Sequence, residues 1–170
     1  MPIQVQDVLL IEPEVFNDER GFFFESYNRR AFAALVGRDV DFVQDNHSRS
    51  AKNVLRGLHY QVQHPQGKLV RVTCGAVLDV AVDLRPDSPS YKQHIVVELS
   101  AENKRALWIP EGFAHGFRVL SDTADVSYKT TDYQYPEHER CLRWDDPDLN
   151  IDWRLDGDII LSPRDARGTT

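Results

Sequence analysis

Leu107-Trp108-Ile109-Pro110-Glu111-Gly112-Phe113-Ala114-His115-Gly116-Phe117 is the stretch that decides the fold class. Leu107 to Ile109 is an apolar strand triplet. Pro110 has no N–H to offer a ladder and Gly112 tolerates a turn, so the strand stops there and a second apolar run begins. The same rhythm holds outward in both directions. Leu69 to Leu84 is rich in valine, with Gly75 as a bend or bulge, and Arg85-Pro86-Asp87-Ser88-Pro89 is a turn in which proline presets φ and aspartate or serine caps. His94 to Leu99 reads as a strand, and Phe117 to Leu120 with Ala124 to Thr130 reads as a hairpin across Ser121-Asp122-Thr123. One helix is expected where Phe32, Leu35 and Val36 follow i, i+3, i+4 spacing and Gly37 supplies a stop. Many short strands with little helix predict a mostly β chain closed as a jelly-roll barrel with few short helices. With no repeat or low-complexity linker, residues 1–170 read as a single domain, the stretch from Asp145 onward wrapping the barrel.

A chain of 170 residues with 41% hydrophobic residues can bury a core and is not disordered in composition. Its formal net charge of −7 argues against a nucleic-acid partner, which would call for a basic face. Cys74 and Cys141 form no C-x-x-C and read as reduced thiols of a cytoplasmic protein. Met1 to Asp7 has no basic leader, and Val8-Leu9-Leu10-Ile11 is far too short to span a bilayer, so no membrane partner is expected.

Strand alternation places Leu55, Gly57, His59 and Gln61 on one face, and Val126, Tyr128 and Thr130 on another. If both faces point into the barrel, His59 and Tyr128 reach a common ligand from different walls; taken alone, the pair also fits an ordinary packed core. Pro110-x-Gly112-x-x-His115 looks like the second signature of the cupin superfamily. The first signature normally supplies H-x-H and a glutamate, but the matching place reads His59-Tyr60-Gln61. A catalytic metal wants three protein ligands, so a cupin barrel without a metal is expected. Arg20, Arg56, Lys68 and Arg164 each suit solvated surface singly; converging, they suit a diphosphate.

Together these segments resemble the dTDP-4-dehydrorhamnose 3,5-epimerase family over nearly the whole chain. The resemblance is carried by Phe16-Asn17-Asp18-Glu19-Arg20-Gly21-Phe22-Phe23-Phe24-Glu25-Ser26, Phe42-Val43-Gln44-Asp45-Asn46-His47-Ser48 and Val54-Leu55-Arg56-Gly57-Leu58-His59. It continues through Gln66-Gly67-Lys68-Leu69-Val70-Arg71, Ala81-Val82-Asp83, Trp108 to Phe117 and Tyr128-Lys129-Thr130-Thr131. Arg164 stands where lysine is common in that family, and Trp153-Arg154 where Trp-Pro is common.

The resemblance implies a dTDP-sugar substrate, no metal or organic cofactor, and inversion at C3 and C5 of dTDP-4-dehydro-6-deoxy-D-glucose to give dTDP-4-dehydro-L-rhamnose. A C4 ketone acidifies the neighbouring hydrogens; a base removes one, and an acid returns a proton to the opposite face. It implies His59 as base, Asp165 as support for its ring, Tyr128 as acid and Lys68 as partner of the enolate oxygen. It also implies substrate contacts from Arg20, Glu25, Gln44, Asp45, Asn46, Arg56, His115, Glu139 and Arg164, with Phe22 and Tyr133 as candidates to stack on thymine. Its members resemble one another as homodimers that exchange N-terminal strands, which would bring Arg20 and Glu25 to the neighbouring subunit's site. Three other readings stay open: a single-centre epimerase acting at C3 or C5, a non-catalytic cupin that binds a nucleotide sugar, and a metal-dependent oxygenase.

Overall fold

In the computed structural model, which describes residues 5–170, the chain runs in order through β1 (Leu9–Ile11), β2 (Phe16–Asp18), β3 (Gly21–Phe23), α1 (Arg29–Val36), β4 (Gln44–Ala51), β5 (Leu55–Gln61), β6 (Lys68–Cys74), β7 (Ala76–Asp83), β8 (His94–Ser100), β9 (Ala106–Ile109), β10 (Phe113–Val119), β11 (Thr123–Thr130), β12 (Glu139–Cys141) and α2 (Pro163–Ala166). The Met1–Gln4 part of the N-terminal stretch read above lies outside the described residues.

Ten strands form two antiparallel sheets, in the orders β1-β9-β6-β11-β4 and β12-β5-β10-β7-β8. Their inner faces supply one core. Val70, Val72, Leu107, Ile109 and Val126 of the first sheet pack with Val77, Ala81, Leu99, Phe113 and Phe117 of the second. Successive strands usually switch sheets. Gly75 makes one such corner between β6 and β7, at φ 72°, where a Cβ would meet the Thr123 carbonyl oxygen at 2.1 Å. Only glycine fits there.

The expected hairpin across Ser121-Asp122-Thr123 does not form. β10 lies between β5 and β7 in one sheet, and β11 lies between β6 and β4 in the other. The turn is an arch tied to its neighbours: Leu120 N–H donates to Ala76 O, Lys52 N–H to Asp122 O, and Ala76 N–H to Ser121 Oγ. Turn chemistry marks where a strand stops, but a polar tripeptide does not say whether the next strand returns to the same sheet.

α1 forms as read. Asn28 caps it by accepting the Ala31 N–H at 3.1 Å, and Gly37 ends it at φ 81°. Phe32 is buried edge-on to Trp108, 5.1 Å between centroids. Leu35, expected on the same face, remains exposed.

The C-terminal stretch packs over the outer face of the second sheet, burying Leu149 and Trp153 against Leu55, Leu58, Val80, Val82 and Ala114. Arg118, on the outward side of β10, fastens it. The buried guanidinium donates to the carbonyls of Trp153 and Arg154 and to Asn53 Oδ1, and ion-pairs with Asp156. Arg154 sits at φ 48°, which a proline could not adopt.

A glycine sets the phase of β5. Gly57 lies at φ 117°, and a Cβ would stand 2.7 Å from both Gly116 Cα and His115 O. Gly57→Ala should therefore cost about 2–5 kcal/mol, strain and overpacking combined. Gly157→Ala, which meets only the end of the Asn53 side chain at 3.3 Å, should stay within about 0.5 kcal/mol. Urea unfolding of the two variants checks the contrast, and equal midpoints would contradict it.

Candidate active site

Alternation along β5 breaks at Gly57. Against β10, His59 pairs with His115 and Arg56 with Phe117, so three steps on β5 match two on β10. This is a β-bulge, and it reverses the side-chain phase. Leu55 joins Leu58 and Tyr60 in the outer cluster under the C-terminal stretch rather than sharing a face with His59. Arg56 turns inward, donating from Nε to Ser50 Oγ at 2.9 Å. The bulge thus brings a cation and an imidazole to the same side, which unbroken alternation would have separated.

His59 Nε2 lies 2.6 Å from Asp165 Oδ1. The carboxylate arrives from the far end of the chain, held by local rules. Ser162 caps α2 and accepts the Asp165 N–H at 3.1 Å, with Pro163 preset in the first turn. Burial raises the Asp165 carboxyl, but hydrogen bonds from His59, the Gly57 backbone and Ser162, together with the His59 charge, hold it below its ordinary value. An ionised carboxylate only accepts, so Nε2 carries the hydrogen, and in the neutral ring the lone pair is on Nδ1.

The facing sheet supplies the other wall. Lys68, Thr130 and Gln44 stand in one row across β6, β11 and β4, and Val70, Tyr128 and Asn46 in the next. The Lys68 Nζ lies 5.8 Å from the Tyr128 ring centre, and that ring meets His115 edge-on at 6.3 Å. Burial pushes the Tyr128 phenol up and Asn46 and Arg56 oppose it; the net shift is upward, so the hydroxyl keeps its proton. Burial pulls the Lys68 amine down to about 8, against the charges of Glu139 and Asp79.

Polar side chains tie the rim together. Gln44 donates to Asn46, accepts the Gln134 N–H, and Gln134 donates to Glu139 at 3.0 Å. Glu139 also pairs with Arg164 at 3.1 Å. Burial raises its carboxyl, but these partners and His59 keep it low.

Of the residues singled out in sequence, His59, Asp165, Lys68, Tyr128, Gln44, Asn46, Arg56, His115, Glu139 and Arg164 come together. Tyr133 sits on the adjoining loop, its carbonyl accepting from Gln61 at 3.2 Å. Asp45 points to the opposite face of β4 and pairs with Lys129 at 3.0 Å. Arg20 is exposed at the β2–β3 turn, paired with Asp18, and Glu25 binds Asn28. Phe22 is exposed under the Lys104 ammonium at 4.3 Å. None of these four joins the cluster within this chain.

Two neighbours were missed. Asp79, fully buried, accepts from His115 Nε2 at 2.8 Å and leaves its second oxygen without a partner. The signal was present: an acid inside a valine-rich strand needs a buried donor. Cys141, paired with His59 across β12 and β5, puts its Sγ 3.6 Å from Asp165 Oδ1. Burial and Asp165 push its thiol up to about 11, so with no cation beside it the thiol keeps its hydrogen at neutral pH.

The family profile described as dTDP-4-dehydrorhamnose 3,5-epimerase matches residues 2–170. The dTDP-4-dehydrorhamnose 3,5-epimerase of Pseudomonas aeruginosa is 61% identical over 166 residues, 98% of this chain and 92% of that one. A crystal structure from Legionella pneumophila, of a dTDP-6-deoxy-D-glucose-3,5-epimerase in complex with dTDP-4-keto-L-rhamnose, is similar at a TM-score of 0.96 and 54% identity, covering 98% of this chain and 89% of that one. A dTDP-4-dehydrorhamnose 3-epimerase of Streptomyces niveus is 40% identical over 166 residues, 96% of this chain and 79% of that one. The mostly β barrel is of the cupin type that the Pro110-x-Gly112-x-x-His115 pattern predicted.

Lys68 offers a direct check of the site's electrostatics. NMR titration of its ammonium should give a midpoint of about 8, lower again in Glu139→Gln, where a stabilising anion is lost. A midpoint at the ordinary lysine value, about 10.4, would contradict the buried setting. The folded value lies below the unfolded one, so charged Lys68 costs stability at and below neutral pH, and the cost fades as pH rises from about 8 toward the ordinary lysine value.

Proposed function

This chain belongs to the dTDP-4-dehydrorhamnose 3,5-epimerase family, and we propose that it inverts C3 and C5 of dTDP-4-dehydro-6-deoxy-D-glucose with its own side chains as acid and base. One observation carries the mechanism: His59 stands beside His115 across the β5–β10 ladder, and His115 meets the ring of Tyr128, which comes from the other sheet. A sugar ring between His59 and Tyr128 is met on opposite faces, which is what inversion requires.

His59 Nδ1 takes the proton from the carbon beside the C4 ketone, and the C–H electron pair moves into the enolate. Asp165 holds the ring in the tautomer that leaves Nδ1 free and steadies the imidazolium that forms. The Lys68 ammonium faces the enolate oxygen from a buried position, where a charge acts strongly because little water screens it. Tyr128 returns a proton to the opposite face, and its raised pKa keeps that proton available at neutral pH. Arg56 and Arg164 offer cations for the diphosphate. His115 is fixed by Asp79 beside both rings.

The working unit in this reading is a homodimer. The β2–β3 hairpin pairs with no other strand among the described residues, and it leaves Phe16, Phe22 and Phe23 more than half exposed. Crossing to a second copy would cover those rings and bring Arg20 and Glu25 to that copy's site. The unbridged Cys74 and Cys141 suit the reducing cytoplasm. No helix among the described residues is long and apolar enough to cross a membrane.

The test is incubation with dTDP-4-dehydro-6-deoxy-D-glucose in D2O. Deuterium is expected at both C3 and C5, and label at one centre alone would favour the single-centre alternative. His59→Ala should lose roughly 10²–10⁴-fold in rate. Tyr128→Phe should exchange hydrogen faster than it inverts configuration. Folded protein that incorporates no label would overturn the reading, and a solution mass of one 19.6 kDa chain would overturn the strand exchange.

A further inference from the structure

Beside the base, three donors of different kinds converge. One atom each from His59, Cys141 and Asp165 lie within 4.8 Å of one another. A nitrogen, a sulfur and a carboxylate oxygen form a donor set suited to zinc-class cations. The cluster shares only His59 with the cupin position, where Tyr60 and Gln61 lack the ligands; Cys141 and Asp165 come from outside that signature. It draws on β5, β12 and α2, three pieces of chain fastened to one another: Cys141 pairs with His59 across the ladder, and the Cys141 carbonyl accepts the Thr169 N–H just beyond α2.

We propose that His59 Nε2, Cys141 Sγ and Asp165 form an inhibitory site for a zinc-class divalent cation, a reading that rests on His59 being the catalytic base. Tetrahedral zinc spaces a sulfur and an oxygen ligand by roughly 3.6 Å, and a nitrogen and an oxygen by roughly 3.3 Å. The Cys141 Sγ to Asp165 Oδ1 distance is already 3.6 Å. The His59 Nε2 to Asp165 Oδ1 distance, 2.6 Å, needs to open by about 0.7 Å once the shared hydrogen leaves. Two carboxylates, Asp165 and Glu139, face the thiol, and one guanidinium, Arg164, opposes them. That balance leaves the thiol a poor nucleophile and welcomes a doubly charged cation.

Inhibition follows from the imidazole's chemistry. A metal on Nε2 moves the single ring hydrogen of neutral imidazole to Nδ1, the atom that must accept the substrate proton. The ion also takes Asp165 away from its supporting role.

The experiment uses cobalt and zinc ions on the full chain with its cysteines reduced. Cobalt should produce a thiolate-to-metal absorption band in the near ultraviolet in the unaltered protein and in Cys74→Ser, but not in Cys141→Ser. Zinc should suppress turnover reversibly, chelator restoring it. Cys141→Ala should keep its turnover and need at least ten times more zinc for the same loss. Absence of the cobalt band, or zinc sensitivity unchanged in both Cys141 variants, overturns the site and leaves the epimerase reading standing. A band that forms through Cys141 while turnover persists overturns the inhibitory role and leaves the epimerase reading standing.

Discussion

The account depends on one hydrogen bond, from His59 to Asp165. The bond joins a strand in the wall of the barrel to a four-residue helix more than a hundred positions later. Nothing local brings the two together. The Gly57 bulge turns His59 inward, while Arg118 clamps the C-terminal stretch over the sheet so that α2 ends beside it. Ser162 then fixes the first turn and with it the carboxylate. Fold, strap and cap all serve the placement of a single acceptor oxygen.

Charge in the interior follows the same economy. Lys68 is buried, which by itself disfavours its charged form. Glu139 and Asp79 oppose that shift, and each is anchored in turn, Glu139 by Arg164 and Asp79 by His115. The outcome is an ammonium poised near neutrality beside a phenol that keeps its hydrogen. Asp79 is itself fully buried, with one oxygen on His115 and the other without a protein partner.

Much of this was legible before any coordinates. The strand rhythm, the Pro110 stop, the Gly75 corner and the Gly37 helix end rest on backbone chemistry that acts locally, and the sequence states it directly. The resemblance named the residues that gather at the rim. What escaped depends on pairing across the fold. Period-two alternation assigned Leu55 to the face of His59 because it assumes an unbroken ladder, and one extra residue at Gly57 reverses it. The Ser121-Asp122-Thr123 turn looked like a hairpin because an arch and a hairpin use the same polar residues. Cys141 looked remote because only strand register puts it against His59. Asp45 differs from Gln44 and Asn46 by a single step of pleat, and that step sends it to the other surface.

The sharpest measurement is the tautomer of His59, read by ¹⁵N NMR of the ring nitrogens in the unliganded protein at neutral pH. The account requires the hydrogen on Nε2, bonded to Asp165, with Nδ1 bare, and a shift toward the other tautomer in Asp165→Asn. A ring carrying its hydrogen on Nδ1 in the unaltered protein would leave no lone pair for the substrate and would contradict the central claim.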